Sequence, residues 1–125
     1  MRFTAVAMMA LAWGMLIQPV SAQPIGDVAA GEAIFKRCMT CHSVKPGENK
    51  VGPSLHGVVG RLSHSVEGFA YSDAMKAYDV TWDQSTLDSF LHDPRGIVPR
   101  TRMLFPGLRS ETERANVIAY LATLQ

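Results

Sequence analysis

Apolar residues recur at helical spacing shortly after residue 27, and Asp27 is a residue type that commonly caps a helix. The pattern predicts a first helix that begins after Asp27 and runs to about His42. The residues available to its apolar side are Ala29, Ala30, Ile34, Phe35 and Cys38.

The C-terminal segment 110–125 has the same helical pattern. Ser110 and Glu113 have the spacing of a capping box, in which each side chain bonds to the backbone N–H of the other residue. The apolar stripe that follows consists of Val117, Ile118, Leu121 and Leu124. This segment therefore predicts a final helix that packs one face against the core.

Two shorter helices are predicted in the middle of the chain. Ser72 can cap one in YSDAMKAY, and Asp83 can cap another in DQSTLDSFLHD, which should end before Pro94. Segments 43–69 and 94–108 are rich in Gly and Pro and predict irregular loops, and no strand-like alternation appears. The chain is therefore predicted to be all-α, with two loops so long that they should wrap another component.

The first 22 residues have the features of a secretory signal peptide. Arg2 precedes a long apolar run, and the run closes on the small-residue sequence Val20-Ser21-Ala22. We expect cleavage after Ala22, which leaves residues 23–125 as one domain; the alternative is a retained membrane anchor. Without Arg2, the basic residues equal the 11 acidic residues in number, which argues against nucleic acid or bulk membrane as a partner.

The only two cysteines, Cys38 and Cys41, are followed directly by His42. Cys-x-x-Cys-His is the attachment sequence of c-type haem. Two thiols at this spacing can form thioethers with two vinyl groups of one porphyrin, and the adjacent imidazole can bind the iron. A buried haem would also be the component that the two long loops wrap.

Other uses of the cysteine pair are less consistent with the sequence. A thioredoxin-like redox site occurs beside a βαβ pattern, and no strands are predicted. A structural zinc site needs four ligands, whereas His56, His64 and His92 form no second clip and are expected at the surface. A Cys38–Cys41 disulfide would close a very short loop and stabilise the chain little.

Several separated motifs together resemble the class I c-type cytochromes, most closely the small exported bacterial members similar to mitochondrial cytochrome c. In chain order they are GEAIFKRCMTCH, GPSLHGVVGR, GFAYSDAMK, TW, DPRGIVPRTRMLFPG and ERANVIAYL. The resemblance implies the cytochrome c fold, in which the first and last helices pack together and short helices and long loops wrap one covalent haem. The residues at the expected helix contact are Gly31, Phe35, Val117 and Tyr120.

The resemblance also assigns the residues that attach and orient the haem. Cys38 and Cys41 would carry the thioethers, and His42 would be the proximal iron ligand. The carbonyl of Pro53 would accept the N–H of that histidine and so fix the ring.

Met103 is the expected distal iron ligand, because it occupies the family's ligand position in a proline-stiffened loop. Met39 lies between the two cysteines, where the haem edge should occupy the space. Met75 is expected on a short helix, where a methionine more often fills the core.

A further group of residues matches those that hold the buried haem propionate. Arg61, Tyr71 and Trp82 supply one cation and two ring donors near a carboxylate that is costly to bury alone. Thr101 falls in the same region of the family pattern.

Three positions depart from the family pattern around the haem. Phe90 stands where a tyrosine is frequent near the methionine sulphur, and Met75 stands where an asparagine is frequent. Arg100 replaces a glycine that commonly precedes Thr101. None of these departures removes a ligand, but together they should alter the reduction potential.

The expected function is that of a soluble, periplasmic, monomeric electron carrier that moves one electron at a time between redox partner proteins. With His42 and Met103 on the iron, no position is open, so neither catalysis nor a small-molecule substrate is expected. The expected partners are an electron donor and an electron acceptor with acidic docking faces, membrane-bound complexes among them. The resemblance places basic residues around the exposed haem edge: Arg37, Lys50, Arg95, Arg100, Arg102 and Arg109. The alternatives are a dedicated acceptor subunit of one oxidoreductase, or a haem peroxidase or gas-binding protein with a labile Met103.

Overall fold

The computed structural model describes residues 26–125, and the predicted signal peptide, residues 1–22, lies outside them. The described residues form α1 (Val28–Phe35), α2 (Asp73–Ala77), α3 (Gln84–His92), α4 (Pro94–Ile97) and α5 (Glu111–Leu121). The only β-type pairing within 26–125 is an isolated antiparallel bridge between Leu62 and Thr81, so the predicted all-α class is confirmed. No helix in this range is long and apolar enough to cross a membrane.

Helix α1 begins as predicted but ends earlier. Asp27 caps it, with its carboxylate accepting the N–H of Ala30 at 2.7 Å. The predicted extent to about His42 is wrong, because the continuous α-helix ends at Phe35. Beyond that residue the chain continues in tighter turns, in which the N–H of Cys38 bonds to the Phe35 carbonyl at 2.7 Å.

The predicted caps of α2 and α3 are both present. Ser72 accepts the N–H of Met75 at 3.1 Å, which begins α2. Asp83 accepts the N–H of Thr86 at 2.8 Å, and the Thr86 hydroxyl accepts the N–H of Asp83 at 2.9 Å, so α3 begins with a full capping box.

Helix α4 replaces the start of the second predicted loop. Asp93 caps it by accepting the N–H of Gly96 at 3.0 Å, and Pro94 occupies the first helical position. Proline suits that position, because its missing N–H would have no partner inside the helix. The Asp93-Pro94 pair was therefore a start signal as well as the end of α3.

The capping box predicted at the start of α5 is only half formed. Ser110 accepts the N–H of Glu113 at 3.3 Å, as predicted. The Glu113 carboxylate does not return the bond and instead forms an ion pair with Arg37 at 3.5 Å. A long-range partner on the turn after α1 thus replaces the predicted local one.

The predicted contact between the first and last helices is confirmed. A Cβ atom on the buried Gly31 would lie 2.6 Å from the carbonyl carbon of Asn116 and 2.9 Å from Cβ of Tyr120. The rings of Phe35 and Tyr120 lie 5.1 Å apart, and Val117 is buried in the same contact. Close approach of α1 and α5 therefore requires a residue without a side chain at position 31.

The core joins the helices to both long loops. Trp82 lies at its centre, with ring centroids 5.8 Å from Tyr78 and 5.1 Å from Phe90. Cys38 and Met103 pack against this core from opposite parts of the chain. Its buried apolar residues are Phe35, Val58, Trp82, Leu87, Phe90, Val98, Leu108, Val117, Ile118 and Leu121.

Candidate functional site

The Cys-x-x-Cys-His motif occupies the turns that follow α1. The N–H groups of Cys41 and His42 both bond to the carbonyl of Cys38, at 3.1 and 2.9 Å. Both cysteines are half-buried, and they form no disulfide with each other. Burial raises the pKa of the Cys38 thiol, and the nearby Arg37 guanidinium opposes that shift. One compact turn thus carries two thiols and an imidazole.

The His42 ring is held by a long-range backbone contact. Its Nδ1–H donates to the carbonyl of Pro53 at 2.7 Å, which leaves Nε2 with its lone pair. Burial lowers the pKa of His42 and the Arg61 charge acts in the same direction, while the Pro53 hydrogen bond opposes them. The ring is therefore held neutral and oriented, which is the form in which imidazole binds a metal.

Gly52 packs against the face of that ring, a role that the sequence analysis missed. A Cβ atom at Gly52 would lie 2.7 Å from Nδ1 of His42 and 2.9 Å from Nε2. The N–H of Gly52 also bonds to the carbonyl of Cys41 at 2.8 Å. The position of a glycine directly before Pro53 was the available signal, because a residue adjacent to the ring-orienting carbonyl must lie close to the ring.

Arg61 is a half-buried cation without an anionic partner. Its Nη1 and Nη2 atoms donate to the carbonyls of His56 and Ser54, each at 2.7 Å, whereas its buried Nε has no hydrogen-bond partner among residues 26–125. No ion pair joins it to any carboxylate within residues 26–125. Burial lowers the pKa of Arg61, and nearby Tyr71 opposes that shift. This arrangement would be completed by a carboxylate from a bound group.

The structure brings Tyr71 and Trp82 to the same region as Arg61. The backbone N–H of Trp82 donates to the carbonyl of Arg61 at 2.9 Å. The Tyr71 hydroxyl accepts the N–H of Val66 at 3.1 Å, so its own O–H remains able to donate to another acceptor. Arg61 and Trp82 are thus in direct contact through their backbones, and Tyr71 lies near enough to Arg61 to affect the pKa of its guanidinium.

Thr101 belongs to the loop that carries Met103, residues 98–110 between α4 and α5, which we call the distal loop. Its hydroxyl accepts the N–H of Met103 at 3.3 Å. Among the described residues, no hydrogen bond or ion pair joins Thr101 to Arg61. The two regions are connected instead by Arg102, which donates to the carbonyl of Ala70 at 3.3 Å.

The three departures from the family pattern have defined surroundings. Phe90 is buried in the core, and Met75 is a half-buried residue that packs against it. Arg100 has φ of 64°, in the left-handed region that favours glycine, and it is the only non-glycine residue of 26–125 in that region. Arg100 therefore has a backbone conformation that glycine adopts without strain and that a residue with a side chain adopts at a cost.

The three histidines expected at the surface have different surroundings. His56 and His64 are half-buried, and Nε2 of His64 lies 2.8 Å from a carboxylate oxygen of Asp79. His92 is exposed at the end of α3, as predicted.

These donors fit a covalently attached haem. Two thiols can form the thioethers, a neutral imidazole offers Nε2 to iron, and the unpaired Nε of Arg61 suits a propionate oxygen. The fit rests on different segments of the chain, so it does not depend on the short motif alone.

Comparisons with known proteins identify the family of this chain. The family model described as cytochrome c matches residues 28–125. Cytochrome c2 of Rhodomicrobium vannielii is 46% identical over 115 residues, which cover 91% of this chain and 92% of the relative. Cytochrome c2 of Blastochloris viridis is 42% identical over 114 residues, 89% of this chain and 90% of the relative. Cytochrome c-550 of Nitrobacter winogradskyi is 44% identical over 98 residues, 78% and 90% of the two chains. The chain therefore belongs to the cytochrome c family and carries one haem c, attached through Cys38 and Cys41.

Proposed function

We propose that this single-haem electron carrier is exported to the periplasm and binds its iron through His42 and Met103. The bound haem supplies one-electron chemistry as its iron changes between the ferric and ferrous states. The protein's part is to hold the group, exclude water and set the reduction potential. The observation that carries the proposal is the geometry of the His42 ring, whose Nδ1 lies 2.7 Å from the Pro53 carbonyl oxygen and which packs against Gly52.

Met103 is the second residue that we propose would bind the iron. It is half-buried against the core in the loop between α4 and α5, which agrees with a sulphur directed at a buried group. Cytochrome c electron carriers are generally not enzymes, and two protein ligands would leave no iron position for a substrate. We therefore propose that this protein has no catalytic activity of its own.

The proposed propionate site consists of Arg61, Tyr71 and Trp82, with Thr101 contributing from the distal loop. Support comes from the buried Nε of Arg61, which lacks a partner, and from the free donor capacity of the Tyr71 hydroxyl. A propionate here would neutralise a half-buried cation, which makes both groups less costly to bury.

The partners are redox proteins, and we propose that they dock on a basic surface around the haem edge. The family resemblance implies that this surface contains Arg37, Lys50, Arg95, Arg100, Arg102 and Arg109, and all six are exposed. Arg37 is also paired with Glu113 at 3.5 Å, so it should contribute less than the unpaired members to attraction of an acidic partner.

Export and a monomeric, soluble state complete the proposal. The bacterial relatives named cytochrome c2 support a periplasmic location. The signal-like sequence of residues 1–22 supports export, with residues 23–125 as the mature domain. Mass spectrometry of the exported protein should give the mass of residues 23–125 plus one haem.

Voltammetry combined with carbon monoxide titration tests the proposed function. We expect one reversible one-electron wave. We also expect slow, weak binding of carbon monoxide to the ferrous protein, because His42 and Met103 would both bind the iron. Rapid and tight binding would favour the alternative of a gas-binding protein or peroxidase. Co-purification in a stable complex with one oxidoreductase would favour a dedicated subunit.

A further inference from the structure

Arg114 is a buried cation on α5 whose contacts converge on the end of the distal loop. Only 7% of the residue is exposed. Its Nε donates to a carboxylate oxygen of Asp88 on α3 at 2.6 Å. Its Nη1 donates to the carbonyls of Leu108 and Arg109, each at 2.9 Å. One guanidinium therefore joins α3, α5 and the backbone at the C-terminal end of the distal loop.

The same end of the loop is fixed to α3 by further contacts. The N–H of Leu108 bonds to the carbonyl of Leu91 at 2.7 Å. Gly107 has φ of 103°, and a Cβ atom there would lie 3.1 Å from the Leu91 carbonyl oxygen and closer still to that of His92. Position 107 therefore requires glycine, and the chain is held tightly where it leaves the loop.

Met103 itself lies in a stretch with few bonds of its own. Segment 102–106 makes no backbone-to-backbone hydrogen bond with any described residue. The contacts within it are long: Met103 N–H to the Thr101 hydroxyl and Arg102 to the Ala70 carbonyl, both 3.3 Å. The position of Met103 therefore depends on how its flanks are held.

We propose that Arg114 and Asp88 are positioning residues for Met103. Their ion pair holds the C-terminal end of the distal loop against α3, and so controls how readily the Met103 sulphur leaves the iron. This inference rests on the proposed function, in which Met103 is the iron ligand. The Arg114 side chain is 9% exposed and that of Asp88 is 41% exposed, so water reaches the ion pair mainly at the Asp88 carboxylate.

Removing the charge of Asp88 should loosen the loop without removing the other Arg114 bonds. Asp88→Asn keeps the size of the side chain but leaves Arg114 without its anion. The guanidinium that donates to the two loop carbonyls is then held less firmly. The open form of the loop should become more populated. An external ligand that binds only the open form then gains apparent affinity in proportion to that population.

Imidazole titration of the ferric haem-loaded protein measures this population. We expect Asp88→Asn to bind imidazole about tenfold more tightly than the wild type, which corresponds to about 1.4 kcal/mol. Arg114→Lys, which keeps the charge but loses the forked donor geometry, should change the affinity in the same direction. Glu113→Gln is the matched control, because it removes one negative charge from α5 and breaks only the exposed pair with Arg37; its imidazole affinity should stay within about twofold of the wild type.

The outcomes separate a positioning role from a structural one. If Asp88→Asn lowers the unfolding midpoint but leaves imidazole affinity unchanged, the pair supports the fold alone and the inference is overturned. Equal changes of imidazole affinity in Asp88→Asn and Glu113→Gln would also overturn the inference, since the loss of one negative charge would then explain both. If the wild-type ferric protein lacks a sulphur-to-iron absorption band, the proposed Met103 ligation fails, and the inference fails with it.

Discussion

The two segments that carry the proposed iron ligands are held in different ways. On the proximal side, the His42 ring donates to the Pro53 carbonyl at 2.7 Å and packs against Gly52, whose N–H bonds to Cys41 at 2.8 Å. On the distal side, Met103 lies in a segment with no backbone-to-backbone hydrogen bond to another described residue. The proximal ligand is fixed by its immediate neighbours, whereas the distal ligand is fixed by contacts at the ends of its loop.

This difference indicates that substitutions on the two sides of the haem site should have different effects. A change near His42 should damage the haem site itself, because each neighbour of the ring contributes directly to its position. A change near Met103 should alter how often the loop opens, because its restraints are distributed along the chain. The following predictions test that distinction.

Loss of one thioether should have the largest effect. Cys38→Ala or Cys41→Ala should leave the haem attached through at most one bond and lower the thermal unfolding midpoint, since binding of the haem is coupled to folding. Extraction with acidified organic solvent followed by mass spectrometry measures the attachment. Complete removal of haem from the wild-type protein under these conditions would contradict covalent attachment.

A methyl group at Gly52 should displace the proximal ligand. The added Cβ would lie 2.7 Å from Nδ1 of His42, so Gly52→Ala should destabilise the folded protein by about 2–3 kcal/mol through overpacking. We also expect a larger high-spin fraction in the ferric paramagnetic resonance spectrum, because the ring moves away from the Pro53 carbonyl. Val51→Ala, at the exposed neighbouring residue, is the control and should be close to wild type. A normal low-spin spectrum and unchanged stability in Gly52→Ala would show that the ring is not tightly held.

One substitution in the distal loop should instead stabilise the folded protein. Arg100 has φ of 64°, a conformation that costs a residue with a side chain roughly 1 kcal/mol or more relative to glycine. Arg100→Gly should therefore raise the free energy of unfolding by about 1 kcal/mol, less the added chain entropy of glycine. Arg102→Gly removes the same charge without a left-handed residue to relieve, and it should not stabilise the protein. Denaturant unfolding gives the free energy of unfolding of both variants. Equal destabilisation of the two would show that the backbone at Arg100 is not strained.

The smallest predicted effect is electronic. A tyrosine hydroxyl that donates to the Met103 sulphur would draw electron density from the iron and favour the ferrous state, whereas Phe90 cannot donate. A hydrogen bond of about 0.5–1.5 kcal/mol corresponds to roughly 20–65 mV for one electron, so Phe90→Tyr should raise the potential by that amount. Voltammetry that finds no change or a lower potential would reject this explanation.

Local signals in the sequence predicted the starts of helices well. Asp27, Ser72, Asp83 and Ser110 all act as N-caps, because a cap depends on a side chain and the backbone three residues away. The first helix ends sooner than its apolar pattern indicated, and its end depends on tighter turns that the pattern does not encode.

Contacts between distant residues were predictable only where the family resemblance supplied them. Gly31 against α5 and Pro53 against His42 came from that source. The Glu113 pair with Arg37 and the Arg114 pair with Asp88 did not, because each joins side chains from segments that the sequence alone does not bring together. Gly52 was missed for the same reason, although its position beside Pro53 was visible.

The central claim is that His42 and Met103 both bind the iron, and the absorption spectrum of the oxidised protein tests it most directly. We predict a sulphur-to-iron charge-transfer band in the wild type, its loss in Met103→Ala, and its retention in Met75→Ala, which removes another half-buried methionine. The Met103→Ala protein should also become high-spin or bind water and external ligands readily. A wild-type spectrum without the band, or a band that survives in Met103→Ala, would contradict the account.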